Sequence, residues 1–357
     1  KAAKRLNEPI LIHVLTKKGK GYKPAEENPD KFHGASPFDI ETGKSLKKKS
    51  KDYSAAFGEK LCKMAANNDK IVAITAAMKD GTGLSKFGED YPNRLFDVGI
   101  AEQHALTFAA GLAKEGMIPF VSIYSSFYQR AYDQVIHDIC MQNLPVIMCV
   151  DRAGIVGNDG ETHQGLYDLS FFKLIPNIVI MSPKNFKELE DMMEYAVTLN
   201  KPVVIRYPRG GESSVEITSN NELSLGKCEK ITTGSDVTIV AIGNMVSKAL
   251  EISSELKKDK INVEVINSRF LKPFDNFGIL KSIKKTKFVI TIEDGTCIGG
   301  LGSTVKELLV DNNIKDVRLK SYSYPDKFVE HGSVNQLEDR YGFNKLDIIK
   351  YIKENIK

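Results

Sequence analysis

One carboxylate, Glu102, stands out in the segment 97–104 because its neighbours in the chain are mostly small or apolar. The pattern of these residues places it where a helix is expected to begin. A carboxylate buried in such surroundings is costly unless another group pairs with it. Glu102 could instead be an ordinary first-turn acid that the partial positive charge of a helix N-terminus stabilises. The sequence therefore leaves Glu102 between a functional and a structural interpretation.

Aromatic and polar side chains follow an apolar strand in the segment 123–134, which contains Tyr124, Phe127, Arg130 and Asp133. Ligands of doubly wound α/β folds bind beyond the carboxyl ends of the strands. Core packing would explain one or two of these aromatic rings, but not a row that also contains a guanidinium and a carboxylate. The segment therefore indicates a binding site at the end of this strand.

A long irregular segment, 151–165, follows the next apolar strand and combines Arg152, Asp159 and His163. Ordering such a loop is costly unless the loop has a role. An isolated histidine is more often structural, but in this setting His163 is a candidate general acid or base. No second His or Cys lies at the spacing of metal ligands, so these residues predict no metal site.

A second guanidinium comes from Arg209, in the stretch 206–210 that ends a further strand. It is expected at the same edge of the sheet as Arg152. Two arginines beside one cleft are typical of a clamp for phosphate or carboxylate. The alternative is that both are surface arginines without a ligand.

Alternating strand and helix patterns must position these side chains. Phe57, Leu61, Met64 and Ala65 have the spacing of a one-sided helix. Further helices are predicted at 102–112, at 127–142 and after a Ser182-Pro183 cap. Strands are predicted at 9–14, 71–75, 119–123, 145–150, 202–207, 237–242, 263–266 and 288–292. This alternation predicts an α/β fold with two domains, each a mostly parallel sheet flanked by helices.

Composition limits the classes of protein. The chain has 357 residues with 50 basic and 46 acidic side chains, so its charge gives no indication of nucleic-acid binding. Its five cysteines lie far apart and are odd in number, which favours a reducing cytoplasm over a disulfide framework. No apolar run reaches the roughly 18 to 20 residues that cross a bilayer, so we predict no membrane contact.

Four segments resemble the pyrimidine-binding domain of the transketolase superfamily: DVGIAEQHA, IYSSFYQRAYDQ, DRAGIVGNDGETHQG and RYPRG. Their sequences are most similar to those of the 1-deoxy-D-xylulose-5-phosphate synthase family. The resemblance extends from Thr16–Tyr22 to the last residues. It implies a transketolase pyrimidine-binding domain followed by a transketolase C-terminal domain. The implied boundaries are 1–22 for the end of a preceding domain, 23–51 for a linker, 52–210 for the pyrimidine-binding domain, 211–235 for an interdomain linker and 236–357 for the C-terminal domain.

Residue roles follow from the same resemblance. Glu102 matches the acid that bonds a ring nitrogen of the aminopyrimidine of thiamine diphosphate, and Glu102, His163 and His33 match the catalytic residues. The matching cofactor contacts are Glu102, Phe127, Ile100 and Tyr22. The residues that match the family's substrate contacts are Tyr124, Arg152, Arg209, Asp159 and Arg130. The last domain has no obvious catalytic cluster, and its glycines at 299–302 indicate either tight helix packing or an anion site.

The implied activity is a thiamine-diphosphate-dependent transferase reaction. Pyruvate is decarboxylated and condensed with glyceraldehyde 3-phosphate to give 1-deoxy-D-xylulose 5-phosphate and carbon dioxide. This is the first step of the methylerythritol phosphate route to isoprenoids and a source of precursors for thiamine and pyridoxal. A cytoplasmic homodimer is implied as well.

The family's N-terminal domain, whose signature binds Mg2+ and the cofactor diphosphate, does not occur here, and Asp294-Gly295 is not that motif. The chain also begins at Lys1 rather than Met, which favours a fragment or a processed piece. We therefore expect the diphosphate site to come from a separate chain or a missing segment, or not to be supplied at all. The alternatives are half of a split transketolase, a pyruvate dehydrogenase beta subunit, or a catalytically silent structural module.

Overall fold

A computed structural model describes residues 1–29, 32, 37–46, 51–217 and 222–356. The chain divides into two compact units, Lys1–Ser50 and Lys51–Lys357. Within its described residues, no helix is long and apolar enough to cross a membrane.

The first unit contains a 3-10 turn, Ala3–Arg5, and a short helix α1, Lys23–Glu27. The rings of Tyr22, Phe32 and Phe38 pack together with centroids 5.1 to 5.8 Å apart. The prediction of a strand at 9–14 is wrong. These described residues are not in a strand, and the Leu11 side chain is 94% exposed. β-type side chains alone do not make a strand, because its backbone groups need a neighbour with which to pair.

Two sheets form the frame of the second unit. Among the described residues, the first sheet has seven strands in the order β10-β5-β6-β4-β3-β1-β2, and only β10 is antiparallel to its neighbour. The second has five in the order β12-β11-β8-β9-β7, and only β7 is antiparallel. The strands are β1 Ile71–Thr75, β2 Leu95–Asp97, β3 Ile118–Tyr124, β4 Ile147–Asp151, β5 Val179–Met181, β6 Val203–Arg206, β7 Glu229–Lys230, β8 Val237–Ala241, β9 Val263–Asn267, β10 Phe270–Lys272, β11 Phe288–Thr296 and β12 Arg318–Tyr324.

Helices cover these sheets and form the α/β architecture that the alternation predicted. They are α2 Tyr53–Asn67, α3 Ser85–Asp90, α4 Glu102–Lys114, α5 Ser125–Tyr128, α6 Tyr132–Gln134, α7 Asp168–Lys173, α8 Phe186–Leu199, α9 Met245–Lys258, α10 Asn276–Thr286, α11 Leu301–Asp311, α12 Val334–Arg340 and α13 Lys345–Asn355. The central strands are buried along their whole length, as parallel strands between two helical layers must be.

Two helix predictions need correction. The stretch predicted as one helix from Phe127 to Gln142 is broken into α5, a 3-10 turn, α6 and the π-helical turn Val135–Cys140. The predicted cap Ser182 does not begin α8. Asn185 caps it by accepting from the Glu188 amide, while the Ser182 hydroxyl donates to the Arg206 carbonyl oxygen.

A buried ion cluster joins the two sheets. The Arg206 guanidinium, at the end of β6, donates from Nε to Asp168 at 3.1 Å and from Nη1 to Asp294 of β11 at 2.7 Å. All three side chains are at most 2% exposed. Burial raises the pKa of the Asp168 carboxyl, and the Arg206 charge opposes this rise. The cluster fixes the end of β6 against the second sheet.

Candidate active site

Glu102 is the first residue of α4, which starts after the left-handed turn at Gly99. Its side chain is buried, and the Arg130 Nη1 atom lies 3.4 and 3.5 Å from its two carboxylate oxygens. A strong charge-assisted hydrogen bond is shorter, about 2.7 to 2.9 Å. Glu102 is thus a buried acid with a long contact to its partner, as the functional interpretation expects. It also lies at a helix N-terminus, as the structural interpretation expects. Ile100, two residues earlier, is 78% exposed.

Aromatic contacts connect Glu102 to the histidine of the long loop. The Arg130 guanidinium carbon lies 5.5 Å from the centroid of the Phe127 ring. The Phe127 and His163 rings meet edge to face with centroids 5.3 Å apart. The buried carboxylate, the aromatic ring and the imidazole therefore lie in one continuous set of contacts.

A second set of contacts runs from Phe127 to the arginines. The Tyr124 ring stacks on Phe127 at 5.9 Å, and the Arg152 guanidinium carbon lies 3.8 Å from the Tyr124 centroid. Asp159 then accepts from Arg152 at 3.1 Å and from Arg209 at 2.6 Å. Burial raises the pKa of the Tyr124 hydroxyl to about 12 while Arg152 opposes that rise, so the hydroxyl stays protonated near neutral pH.

The strand register explains why these residues meet. Tyr124, at the end of β3, pairs with Asp151 at the end of β4, and Val150 pairs with Arg206 at the end of β6. Carboxyl ends of neighbouring parallel strands lie at one edge of the sheet, so the segments that follow them converge there. Nine sequence-predicted site residues lie in this region of the second unit: Ile100, Glu102, Tyr124, Phe127, Arg130, Arg152, Asp159, His163 and Arg209.

Two of the predicted site residues precede the second unit in the chain. Tyr22 belongs to the first unit, where its hydroxyl donates to the Ile40 carbonyl oxygen at 2.8 Å. His33 lies outside the described residues. Among the described residues, no group of three or more His, Cys, Asp or Glu side chains could hold a metal ion.

Gln164 holds the histidine loop, a role that sequence reasoning missed. Its side-chain oxygen accepts from the amides of Val156 at 2.9 Å and Gly157 at 3.2 Å. Its side-chain nitrogen donates to the carbonyl oxygen of Glu330, in the segment after β12, at 3.2 Å. The only signal in the sequence was its place between His163 and Gly165, and that place does not reveal the partners.

The neck of the same loop rests on the second sheet. The amides of Gly154 and Gly165 donate to each other's carbonyl oxygens at 2.7 Å. A Cβ at Gly154 would lie 2.1 Å from a carboxylate oxygen of Asp294, so only glycine allows this approach. The second sheet, which had no catalytic cluster in the sequence, thereby supports the loop that carries His163.

Two family models match this chain: the transketolase pyrimidine-binding domain over residues 49–211, and the transketolase C-terminal domain over residues 226–348. The 1-deoxy-D-xylulose-5-phosphate synthase of Natranaerobius thermophilus is 49% identical over 99% of this chain and 57% of its own length. That of Caldanaerobacter subterraneus is 51% identical over the same shares. The chain therefore spans about 57% of the length of these curated relatives.

Solved structures share the fold. A split-gene transketolase, determined as an inactive beta4 tetramer, superposes with a TM-score of 0.77 at 31% identity and covers 85% of this chain and 98% of its own. The transketolase of Campylobacter jejuni superposes with a TM-score of 0.70 at 19% identity, over 94% of this chain and 51% of its own. The second likeness concerns the fold alone.

Proposed function

Because this chain belongs to the transketolase family and matches the C-terminal part of 1-deoxy-D-xylulose-5-phosphate synthases, we propose that it is the pyrimidine-binding and C-terminal portion of such an enzyme. The complete enzyme condenses pyruvate with glyceraldehyde 3-phosphate to 1-deoxy-D-xylulose 5-phosphate and releases carbon dioxide. The observation that carries this proposal is the unbroken set of contacts from Glu102 through Arg130 and Phe127 to His163.

These residues fit the aminopyrimidine of thiamine diphosphate. A protonated ring nitrogen donates a hydrogen bond and needs a buried acceptor, and Glu102 offers a carboxylate whose pairing with Arg130 is long enough to be exchanged for a ligand. The flat apolar ring needs apolar neighbours, and Phe127 and the exposed Ile100 supply them. When bound, thiamine diphosphate supplies the electron sink that makes decarboxylation of a 2-oxo acid accessible.

The remaining side chains take binding and proton-transfer roles in this proposal. Arg152 and Arg209 share the carboxylate of Asp159, which leaves further guanidinium N–H groups to hold the phosphate of the aldehyde. The protonated Tyr124 hydroxyl is a donor for the same substrate. His163 lies beside Phe127 and takes the role of general acid or base.

The diphosphate and Mg2+ need ligands from elsewhere. The described residues contain no candidate metal cluster, and the relatives are longer than this chain. We propose that a preceding segment or a separate chain supplies those ligands. Tyr22 as a cofactor contact and His33 as a catalytic histidine belong to the same proposal. The same proposal includes assembly as a homodimer and a cytoplasmic location. It also includes domain boundaries at 52–210 and 236–357.

A second candidate is the corresponding half of a split transketolase. The observation that favours it is the 31% identity to the split-gene subunit, 98% of which this chain covers. That relative was solved in an inactive form. On either proposal, this chain by itself is expected to be inactive.

Donor preference separates the two candidates. The chain would be combined with the N-terminal portion of a synthase relative, thiamine diphosphate and Mg2+. We expect product from pyruvate plus glyceraldehyde 3-phosphate, and no transfer from a ketose phosphate to an aldose phosphate. Ketose-dependent transfer without consumption of pyruvate would replace the synthase proposal with the transketolase one.

Calorimetry tests where the diphosphate is held. We expect thiamine diphosphate with Mg2+ to bind tightly only when the N-terminal portion is present. Equally tight binding to this chain alone would mean that the diphosphate site lies within it.

A further inference from the structure

Gly81 lies directly against the acceptor side of the cleft. A Cβ at this position would be 1.7 Å from the Tyr124 hydroxyl oxygen, 2.9 Å from its Cζ atom and 3.4 Å from Arg152 Nη2. Its backbone needs no left-handed conformation, so glycine is required here by space alone. We propose that Gly81 is a specificity-determining residue that makes room for the Tyr124 hydroxyl and thereby sets how the cleft receives a phosphorylated aldehyde.

Hydrogen bonds and close packing hold the turn that carries Gly81. Both the amide and the hydroxyl of the fully buried Thr82 donate to the Met78 carbonyl oxygen, at 3.0 and 2.9 Å. On the other side, the turn is pressed against α2, since a Cβ at Gly83 would lie 2.0 Å from the Ser54 carbonyl oxygen. A side chain at position 81 would therefore meet the tyrosine from a turn that these contacts hold in place.

Displacing Tyr124 would disturb the anion clamp. Its ring stacks on Phe127 and also contacts the Arg152 guanidinium, whose carbon lies 3.8 Å from the ring centroid. Arg152 in turn shares Asp159 with Arg209. A shift of the tyrosine thus changes the position of one of the two guanidinium groups that would hold phosphate. This inference rests on the proposed substrate, but its geometric part concerns phosphate binding by this chain alone.

A double-mutant cycle isolates the contact. The unmodified chain, Gly81→Ala, Tyr124→Phe and the double variant are titrated with inorganic phosphate by 31P NMR, and each is assayed for the KM of glyceraldehyde 3-phosphate in the complemented enzyme. We expect Gly81→Ala to weaken phosphate binding and raise the KM by about fivefold or more, with a smaller change in kcat. With Phe at 124 the 1.7 Å contact with the hydroxyl is gone and only the 2.9 Å contact with Cζ remains, so the same substitution should have a clearly smaller effect on both quantities.

Gly111→Ala is the matched control, because a Cβ there meets no atom within 4 Å, and neither quantity should change. An equal loss from Gly81→Ala in both backgrounds would overturn the inference, and so would no loss in either. Failure of the unmodified chain to bind phosphate would overturn it too. Absence of synthase turnover together with the expected phosphate cycle would remove the proposed reaction and leave the role of Gly81 intact.

Discussion

Replacing Arg209 with alanine should weaken recognition of the substrate phosphate. A hydrogen bond to a charged group contributes about 1.5 to 3 kcal/mol. The Arg209 side chain is 39% exposed and already bonds Asp159, so solvent and that carboxylate reduce the net value. We therefore expect a loss of about 1.5 kcal/mol, or about a tenfold rise in the KM for glyceraldehyde 3-phosphate, with kcat little changed.

Steady-state assays of the complemented enzyme with two aldehydes measure this effect. The KM for unphosphorylated glyceraldehyde should stay the same, because the lost contact is to the phosphate. Arg209→Lys keeps the positive charge but not the planar guanidinium, so it should raise the KM for glyceraldehyde 3-phosphate less than Arg209→Ala does. Lys353→Ala removes the cation of an exposed pair between Lys353 of α13 and Asp259, which follows α9, and serves as the control. An unchanged KM for the phosphorylated aldehyde, or equal rises for both aldehydes, would refute the clamp.

Three further predictions concern the frame of the site. Gln164→Ala leaves buried amides without an acceptor, so we expect a loss of about 2 kcal/mol in denaturant unfolding and faster hydrogen exchange in residues 154–165. Burial raises the pKa of the Asp151 carboxyl from 3.8 to about 7. Between these two pH values the folded state holds a proton that the unfolded state has lost. The free energy of unfolding therefore falls as pH rises from 3.8 to about 7. The stability advantage of Asp151→Asn should therefore grow by about 3 kcal/mol between pH 5 and pH 8 in urea unfolding. Arg206→Ala leaves Asp168 and Asp294 buried without their cation and should lower the free energy of unfolding by about 3 to 5 kcal/mol.

Each of these predictions has an opposing result. Unchanged exchange in Gln164→Ala would mean that the loop holds its shape without the amide. An advantage of Asp151→Asn that is the same at both pH values would mean that this carboxyl titrates alike in the folded and unfolded chain. Wild-type stability in Arg206→Ala would show that the ion cluster does not join the sheets energetically.

The sequence predicted the strands that matter most for the site. The runs at 71–75, 119–123, 145–150 and 202–207 lie within two residues of β1, β3, β4 and β6. Buried parallel strands are continuous apolar runs, which are easy to recognise and whose ends mark where ligand-binding segments begin. Local pattern was therefore sufficient to find the edge of the sheet that carries the candidate site.

Contacts between distant parts of the chain could not be predicted in this way. The strand β10, Phe270–Lys272, pairs with β5 at the edge of the first sheet. It is only three residues long, and its sequence does not indicate which of the two sheets it joins. Gly81 and Tyr124 are likewise brought together only by the fold. The sequence around Asp294 shows only that Asp294-Gly295 is not the metal-binding motif. The fold brings its carboxylate against Arg206 and Gly154, and these contacts could not be predicted from the neighbouring residues.

Helix starts show the limit of local rules. Ser182-Pro183 has the residue types of a helix start, yet the Ser182 hydroxyl bonds the end of β6 and Asn185 caps the helix. In the same way, the helix expected through Tyr132 changes pitch, and the buried Tyr128 hydroxyl reaches back to the Val121 carbonyl oxygen. In both places a tertiary hydrogen bond accompanies the departure from the local pattern.

The proposed chemistry depends most directly on the Glu102 carboxylate, so the decisive measurement is the turnover of Glu102→Gln in the complemented enzyme with pyruvate and glyceraldehyde 3-phosphate. The amide keeps the shape of the buried side chain but removes its charge. We expect synthase turnover to be abolished while the thermal unfolding of the chain stays close to that of the unmodified protein. Substantial residual turnover in the folded variant would contradict the role assigned to this carboxylate.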